Sequence, residues 1–539
     1  MPPTGLERFS APTLNAYNDP MSLIGPVGRK RPRARLAMAT LYLVLALGAL
    51  TTLYPFALML STGLKGPTDQ NDNVVVPKYL TDDQELRTKY VDDKYAGDRF
   101  NIASNSLGAS ASPDVVRRYQ GFLMQLPVDY WQAGFKTPTN QVTSKLVVRY
   151  HSWLRKRYKS IDDLNKAYIE ENVGFQTIAT PPELFDLPDW KPNPGKKWDE
   201  WQAFKRELPA DYRIPVRTQW LWQRFLASTY KNQLAKAPPA LVGSATTFDK
   251  VALPDFQSKD PAVAALVSTF RSKEQPRFLN NSVESQWRRV IGSDGPLPVG
   301  AADLAFVATN AGPVRKEFAG RNFGYVLDYI LLNGRAVWNT FLFCFLSILT
   351  QLTVNPLAAY ALSRYPIKAS GKILMFLLAT MAFPAEVAMI PSFLLLKNLH
   401  LLNTFAALVL PGAASGYMIF LLKGFFDSLP QEIFEAGALD GAPEIVMMTR
   451  IAFPMSKPVL GYLALLAFMG AYGAFIYAFL VAQDQKIWTL MVWIYQLQNS
   501  AAPKAVIMAA LTLAAVPTLV VFLCAQRVIM RGIVLPGEK

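Results

Sequence analysis

Six stretches of this 539-residue chain are long, apolar and almost free of charge, and no other sequence feature restricts the possible folds so strongly. Residues 36–64, 336–363, 398–422, 458–483 and 505–526 hold no Asp, Glu, Lys or Arg, and residues 373–396 hold only Glu386. A helix crosses a bilayer with about 20 apolar residues. In lipid the backbone must also satisfy its own hydrogen bonds, which leaves helices as the natural spanning element for windows of this length. The expectation is an all-α polytopic membrane protein with six transmembrane helices. The overall composition agrees, with 51% hydrophobic residues and a mean hydropathy of +0.15.

Cations flank the windows on alternate sides. Arg29, Lys30, Arg31, Arg33 and Arg35 precede the first window, Arg364, Lys368 and Lys372 lie between the second and third, Arg450 and Lys457 between the fourth and fifth, and Arg527 and Arg531 at the end. Positive flanks mark the cytoplasmic side. The predicted organisation is a cytoplasmic tail over 1–35, a first transmembrane helix over 36–64, an extracytoplasmic insert over 65–335, a five-helix core over 336–531 with a cytoplasmic loop at 427–457, and a cytoplasmic C-terminus at 532–539. Both termini would face the cytoplasm. The net charge of +15 is thereby read as juxtamembrane attraction to a lipid bilayer, with no nucleic acid as partner.

The insert is too long to be a loop. It carries 30 of the 40 acidic residues and eight of the 11 tryptophans, enough for a folded and mostly helical domain. Trp153, Leu154 and Tyr158 recur at helical spacing, and Ser160 can cap a second helix carrying Leu164 and Tyr168. Trp131, Trp153, Trp190, Trp198, Trp201, Trp220, Trp222 and Trp287 could stack on sugar rings, but such spacing favours a core. The piece WLRKRYKSIDDLNKAY is similar to a helical segment of some β-galactosidase-type glycosidases, without an acid pair to accompany it. A second possible function is therefore a membrane-anchored glycan-binding or glycan-processing protein acting through residues 65–335.

Other chemistries are poorly supplied. Cys344 and Cys524 lie inside apolar runs, and His151 and His400 are the only histidines, so no metal site is expected. No G-x-x-x-x-G-K-[ST] phosphate loop occurs, so ATP hydrolysis is not expected of this chain.

The loop EAGALDGAPEIVMMTRIAFP at 435–454 fits neither a span nor a surface helix. A helix can start at Pro430 with Gln431, Glu432 and Glu435 in its first turns, and Ile433, Phe434, Ala438 and Leu439 give it an apolar stripe. Gly441 can take a left-handed cap. A second helix through Ile445, Met447 and Met448 would end at Pro454. Small residues Ala436, Gly437, Ala438 and Ala442 permit close approach by a soluble partner, with Phe434 or Leu439 filling a groove.

The placement of Glu435, Ala436, Gly441, Ile451 and Pro454 resembles the hallmark of permease subunits of binding-protein-dependent ABC importers. Gly437 stands where the family has a second Ala, and Phe453 where it has Leu. The stretches at 339–366, 383–404 and 428–444 look like the sugar-importing, maltose-type branch. The resemblance implies that Phe434, Glu435, Ala436, Gly437, Ala438, Leu439, Asp440 and Gly441 form a coupling helix, with Ala442, Ile451 and Pro454 completing the docking loop. It also implies a bacterial inner-membrane location and a carbohydrate as solute. The implied partners are two copies of a separate ATPase subunit, which uses the ATP, a second permease subunit and an extracytoplasmic solute-binding protein. Two further residues are expected near the translocation path. Glu386 is an intramembrane acid between Pro384 and Pro391, and Tyr472 lies in FMGAYGAFIYAF, where relatives carry Trp-Asn and an acid.

Overall fold

Among the described residues three helices, at Arg35–Gly63, Ala336–Arg364 and Lys504–Gln526, are long and apolar enough to cross a membrane. Three bent helix pairs raise the number to six if each pair forms one span. The structure, a computed structural model, describes residues 32–105, 111–136, 144–172, 174–187, 190–328, 335–499 and 502–531. The expectations for residues 1–31 and 532–539 lie outside these. The chain divides into two compact units, Met1–Leu58 and Met59–Lys539. The first is carried by the helix beginning at Pro32, where Leu36, Tyr42, Leu50 and Leu53 are each more than 60% exposed, as suits a helix whose solvent is lipid.

Within the second unit, the insert is mostly helical and holds two aromatic cores. One gathers Trp131, Tyr150, Trp201, Phe204 and Trp287, and the other Trp220, Trp222, Phe225 and Phe270. Their rings meet edge to face, as for Tyr150 and Trp201 at 5.1 Å and 87° and for Trp222 and Phe270 at 5.1 Å and 86°, the arrangement that ring quadrupoles favour. Most of the tryptophans are thus core residues. Ser160 caps the helix Ile161–Tyr168 by accepting from the Asp163 N–H at 3.2 Å, and Leu164 and Tyr168 are buried as the spacing predicts. One short antiparallel ribbon pairs Trp131–Ala133 with Arg213–Pro215, placing Gln132 opposite Ile214.

Behind this ribbon lies a buried ion pair. The Lys205 ammonium donates to Glu183 Oε1 at 2.6 Å and to the Val128 and Trp131 carbonyls at 2.8 and 2.7 Å. Lys136 and the Ala133 N–H reach Glu183 Oε2 at 3.1 and 3.0 Å. Burial alone would raise the Glu183 pKa, yet Lys205, Lys136 and the Ala133 amide overcome it and hold the carboxyl at about 2.

One helix, Val299–Leu327, belongs to both halves of this unit. It buries Val307, Val314 and Phe318 in the first aromatic core and Val326 against the apolar cluster containing Ala509 and Ala510. It is kinked at Asn310, ahead of Pro313, whose missing N–H leaves the Thr309 carbonyl without its helical donor. Arg321 on this helix forks onto Asp93 at 2.9 and 2.8 Å, and Asn322 donates to the Gly63 carbonyl at 2.9 Å. Arg321 thus holds the helix to Asp93 within the insert, and Asn322 ties it to Gly63, just before the insert begins.

In the apolar region, Ala336–Arg364 packs against Gly416–Asp427 and Lys457–Gly473. Fully buried Asn355 accepts from the Ser415 N–H at 2.7 Å and donates to the Ala413 carbonyl at 3.2 Å, satisfying backbone where one bent pair turns. A Cβ on Gly416 would lie 2.3 Å from the Leu377 carbonyl oxygen, so only glycine permits that approach.

Three of the apolar windows are bent or interrupted. Ser370–Met381 and Glu386–Asn398 meet at 101°, and Phe405–Gly412 and Gly416–Asp427 at 51°. Pro384 caps the second arm of the first pair, and Pro411 lies in the tight turn Leu410–Gly412 of the other. Window 458–483 is likewise interrupted, because Ala474 leaves helical geometry at ψ 74°.

Candidate functional site

The helix Gln431–Leu439 starts after Pro430 as expected, with Glu432 in its first turn and Gln431 donating to Glu435 at 2.9 Å. Its end is a complete Schellman closure: Gly441 adopts φ +75°, its N–H reaches the Ala438 carbonyl at 3.0 Å, and the Ala442 N–H reaches the Gly437 carbonyl at 3.0 Å. The elbow predicted for Gly441 is thus present. A Cβ at Gly441 would meet nothing within 4 Å, so a larger residue there costs backbone strain alone.

The second arm departs from expectation. Glu444–Met447 continues through a π-helical turn at Met448–Ala452 into Phe453–Met455. Pro454 does not end it; the break falls at Ser456, where the chain turns by 84° into Lys457–Gly473. Pro454 sits near the start of the short final piece, where an amide hydrogen is dispensable. The Ser456 hydroxyl donates to the Ala452 carbonyl at 2.7 Å and secures the corner.

Phe434 also differs from the expectation. It is only 7% exposed and packs inward, with the Arg364 guanidinium 3.7 Å above its ring and Tyr360 beside it. Arg364 also donates to the Phe426 carbonyl at 2.7 Å, and the Tyr360 hydroxyl donates to Glu444 at 2.9 Å. Both residues lie one turn apart at the end of Ala336–Arg364, so one helix end grips both arms of the loop. In the sequence Arg364 stands out only as a flanking charge, because its contact with Phe434 is distant along the chain. Phe434→Ala is expected to remove about 3–5 kcal/mol of local packing. Protease sensitivity confined to residues 427–457 would register it.

The remaining residues divide cleanly. Gly437 and Ile451 meet across the two arms, where an added Cβ would lie 3.4 Å from Ile451 Cδ1, so the usual alanine would also fit. Glu435, Ala436, Ala438, Asp440 and Gly441 are exposed, Ala442 is half-buried, and Leu439 is 89% exposed. Leu439, with half-exposed Ile445 nearby in sequence, gives the loop a solvent-facing apolar tip.

Tyr472 and Glu386 do not come together. Tyr472 lines an apolar cavity of about 560 Å³ with Phe341, Cys344, Phe345 and Pro517, and its hydroxyl donates to the Ala514 carbonyl at 2.5 Å. Glu386 is exposed in the first turn of its helix and is absent from that lining. A carboxylate there is favoured by the helix N-terminus. Among the described residues no group of His, Cys, Asp and Glu could hold a metal ion.

The family described as binding-protein-dependent transport system inner membrane component matches residues 355–534, which contain the whole two-armed loop. The permease protein UgpE of the sn-glycerol-3-phosphate transport system of Yersinia enterocolitica is 32% identical over 206 residues, covering 37% of this chain and 73% of that protein. This chain belongs to that permease family. Protein LplC of Bacillus subtilis is 32% identical over 35% of this chain and 68% of its own length. SmoH, the sulfoquinovosyl glycerol transport system permease of Agrobacterium fabrum, is 30% identical over 38% and 72%. The chain is thus an ABC transporter permease subunit and a multi-pass inner-membrane protein. The family match begins after residue 354, so the insert lies outside it.

Proposed function

We propose that this permease imports a carbohydrate or a related polyol derivative by alternating access, driven by a separate ATPase that docks on the exposed face of the coupling segment 434–442. The observation that carries the docking is the exposed apolar tip at Leu439, set on a helix closed at Gly441 and braced by Arg364 and Tyr360. A rigid knob transmits a push; a floppy loop absorbs it. The reading includes six spans, both termini and loop 427–457 in the cytoplasm, and residues 65–335 outside. Two ATPase copies, a second permease and a solute-binding protein complete the assembly. The solute class is supported by the relatives, whose names refer to sn-glycerol-3-phosphate and sulfoquinovosyl glycerol transport. Glu386 and Tyr472 belong to this proposal as residues near the translocation path, Glu386 because an intramembrane carboxylate between prolines suits a cavity or a partner.

The test is ATP-dependent uptake by the reconstituted complex. Gly441→Val places a β-branched side chain at φ +75° and is expected to strain the elbow by about 1–2 kcal/mol. Uptake should fall several-fold while the amount of inserted permease stays constant. Unchanged uptake would contradict a coupling role for the elbow.

A further inference from the structure

The apolar cavity that Tyr472 borders, about 560 Å³, lies between two of the long apolar helices and has a definite extent along them. On Ala336–Arg364 its wall is Val337, Thr340, Phe341, Cys344, Phe345 and Ile348, all on one helix face. On Lys504–Gln526 the wall runs from Ala510 to Val521. Each wall is about 16 Å long at a helical rise of about 1.5 Å per residue. The hydrocarbon core of a bilayer is about 30 Å thick. The cavity begins at the end of the span next to the insert, so it reaches the depth of one leaflet and stops.

It opens sideways. Phe341, Phe345, Val516 and Val520 line it and are each about half exposed, whereas Cys344, Tyr472, Ala510 and Ala514 behind them are buried. The two hydroxyls of the lining are already engaged. Thr340 donates to the Ala336 carbonyl at 2.8 Å and accepts from the Leu490 N–H at 2.7 Å, and Tyr472 donates to the Ala514 carbonyl at 2.5 Å. A saccharide or an ordered water would find no hydrogen-bond partner there. A methylene chain needs none. The end next to the insert carries what a headgroup would meet. Exposed Arg335 immediately precedes the span, and a guanidinium at that depth suits a phosphate. Trp338, 64% exposed, lies one turn further in, at the level where tryptophans gather in membrane interfaces. Its ring stacks on Phe341 at 5.5 Å, and Phe341 stacks on Phe345 at 6.3 Å, which forms an aromatic rail leading from the interface along the mouth.

We propose that this cavity is a phospholipid site, which takes one acyl chain from the leaflet next to the insert and places the phosphate on Arg335. The depth decides between occupants. A spanning helix of a partner subunit would need a groove along the whole span, and this one ends half-way. An acyl chain anchored by its headgroup reaches about that far. The site requires only that the two helices cross the bilayer, so it fails or succeeds separately from the docking of an ATPase and from the identity of the solute.

The test loads phosphatidylglycerol bearing a diazirine on its acyl chain into membrane vesicles from cells that express the full-length chain. Photoadducts are then mapped by peptide mass spectrometry. They should form on buried Cys344 and Ala514 as well as on exposed Leu519 and Leu523, which any surrounding lipid can reach. Val516→Trp, which narrows the mouth, should lower the adducts at Cys344 and Ala514 about tenfold and leave those at Leu519 and Leu523 unchanged. Arg335→Glu should lower the same two several-fold, and Arg335→Lys should keep most of them. No adduct at Cys344 or Ala514 in the wild type, or adducts there that either Val516→Trp or Arg335→Glu leaves unchanged, would overturn the proposal. Capture of a second protein by a photoreactive side chain at position 345 would also overturn it, because a protein would then fill the mouth.

Discussion

Lys205→Met is expected to destabilise the insert by about 3–5 kcal/mol, because it leaves the Glu183 carboxylate buried with one of its two cations gone. The wild-type pair is sealed, with Lys205 at 0% and Glu183 at 1% side-chain exposure. Burial pulls the Lys205 pKa down against Glu183, but its ammonium has three acceptors and remains the donor at the centre of the node. The pH dependence has a definite sign. The Glu183 pKa is depressed from 4.5 to about 2 on folding, so its contribution is full above pH 4.5 and lost as pH falls towards 2. At 1.36 kcal/mol per pKa unit that contribution is about 3 kcal/mol. Thermal unfolding of the purified protein between pH 2 and 7 measures it. The Lys205→Met variant should melt lower at pH 7 and show a much flatter acid limb, and Glu183→Gln added to it should recover part of the loss.

The second large effect is expected at Leu439. In the proposed assembly this side chain leaves water for a groove on the ATPase, a transfer worth about 1.5–3 kcal/mol for leucine. Leu439→Asp should therefore weaken retention of the ATPase by roughly tenfold to a hundredfold. Its own fold should not suffer, since the residue is 89% exposed and bears on no core. Phe434→Ala provides the contrast, because it acts through the brace with Arg364 and Tyr360 and should loosen the loop itself.

The features legible in the sequence were those set by local chemistry. Charge-free windows located the long apolar helices, Ser160 announced its cap, and the glycine at 441 announced a left-handed elbow. The tryptophans of the insert were legible as core because their spacing matched buried helix faces. What escaped depended on contacts distant in sequence. Nothing local shows that Arg364 will cover Phe434, 70 positions later, and so turn an apparent docking residue inward. The proline at 454 is a poor guide because a π-helical turn ahead of it absorbs the irregularity and moves the break to Ser456. The apolar cavity behind Phe341 joins helices at 336–364, 457–473 and 504–526 that share no motif.

The central claim is that the tip of the Gln431–Leu439 helix touches the ATPase. A photoreactive side chain placed at position 439, in a complex shown to be active in uptake, tests it by covalent capture. The account predicts an adduct with the ATPase subunit from position 439 and little or none from the inward-facing position 434. An active complex yielding no ATPase adduct at 439, or equal adducts at both positions, would contradict it.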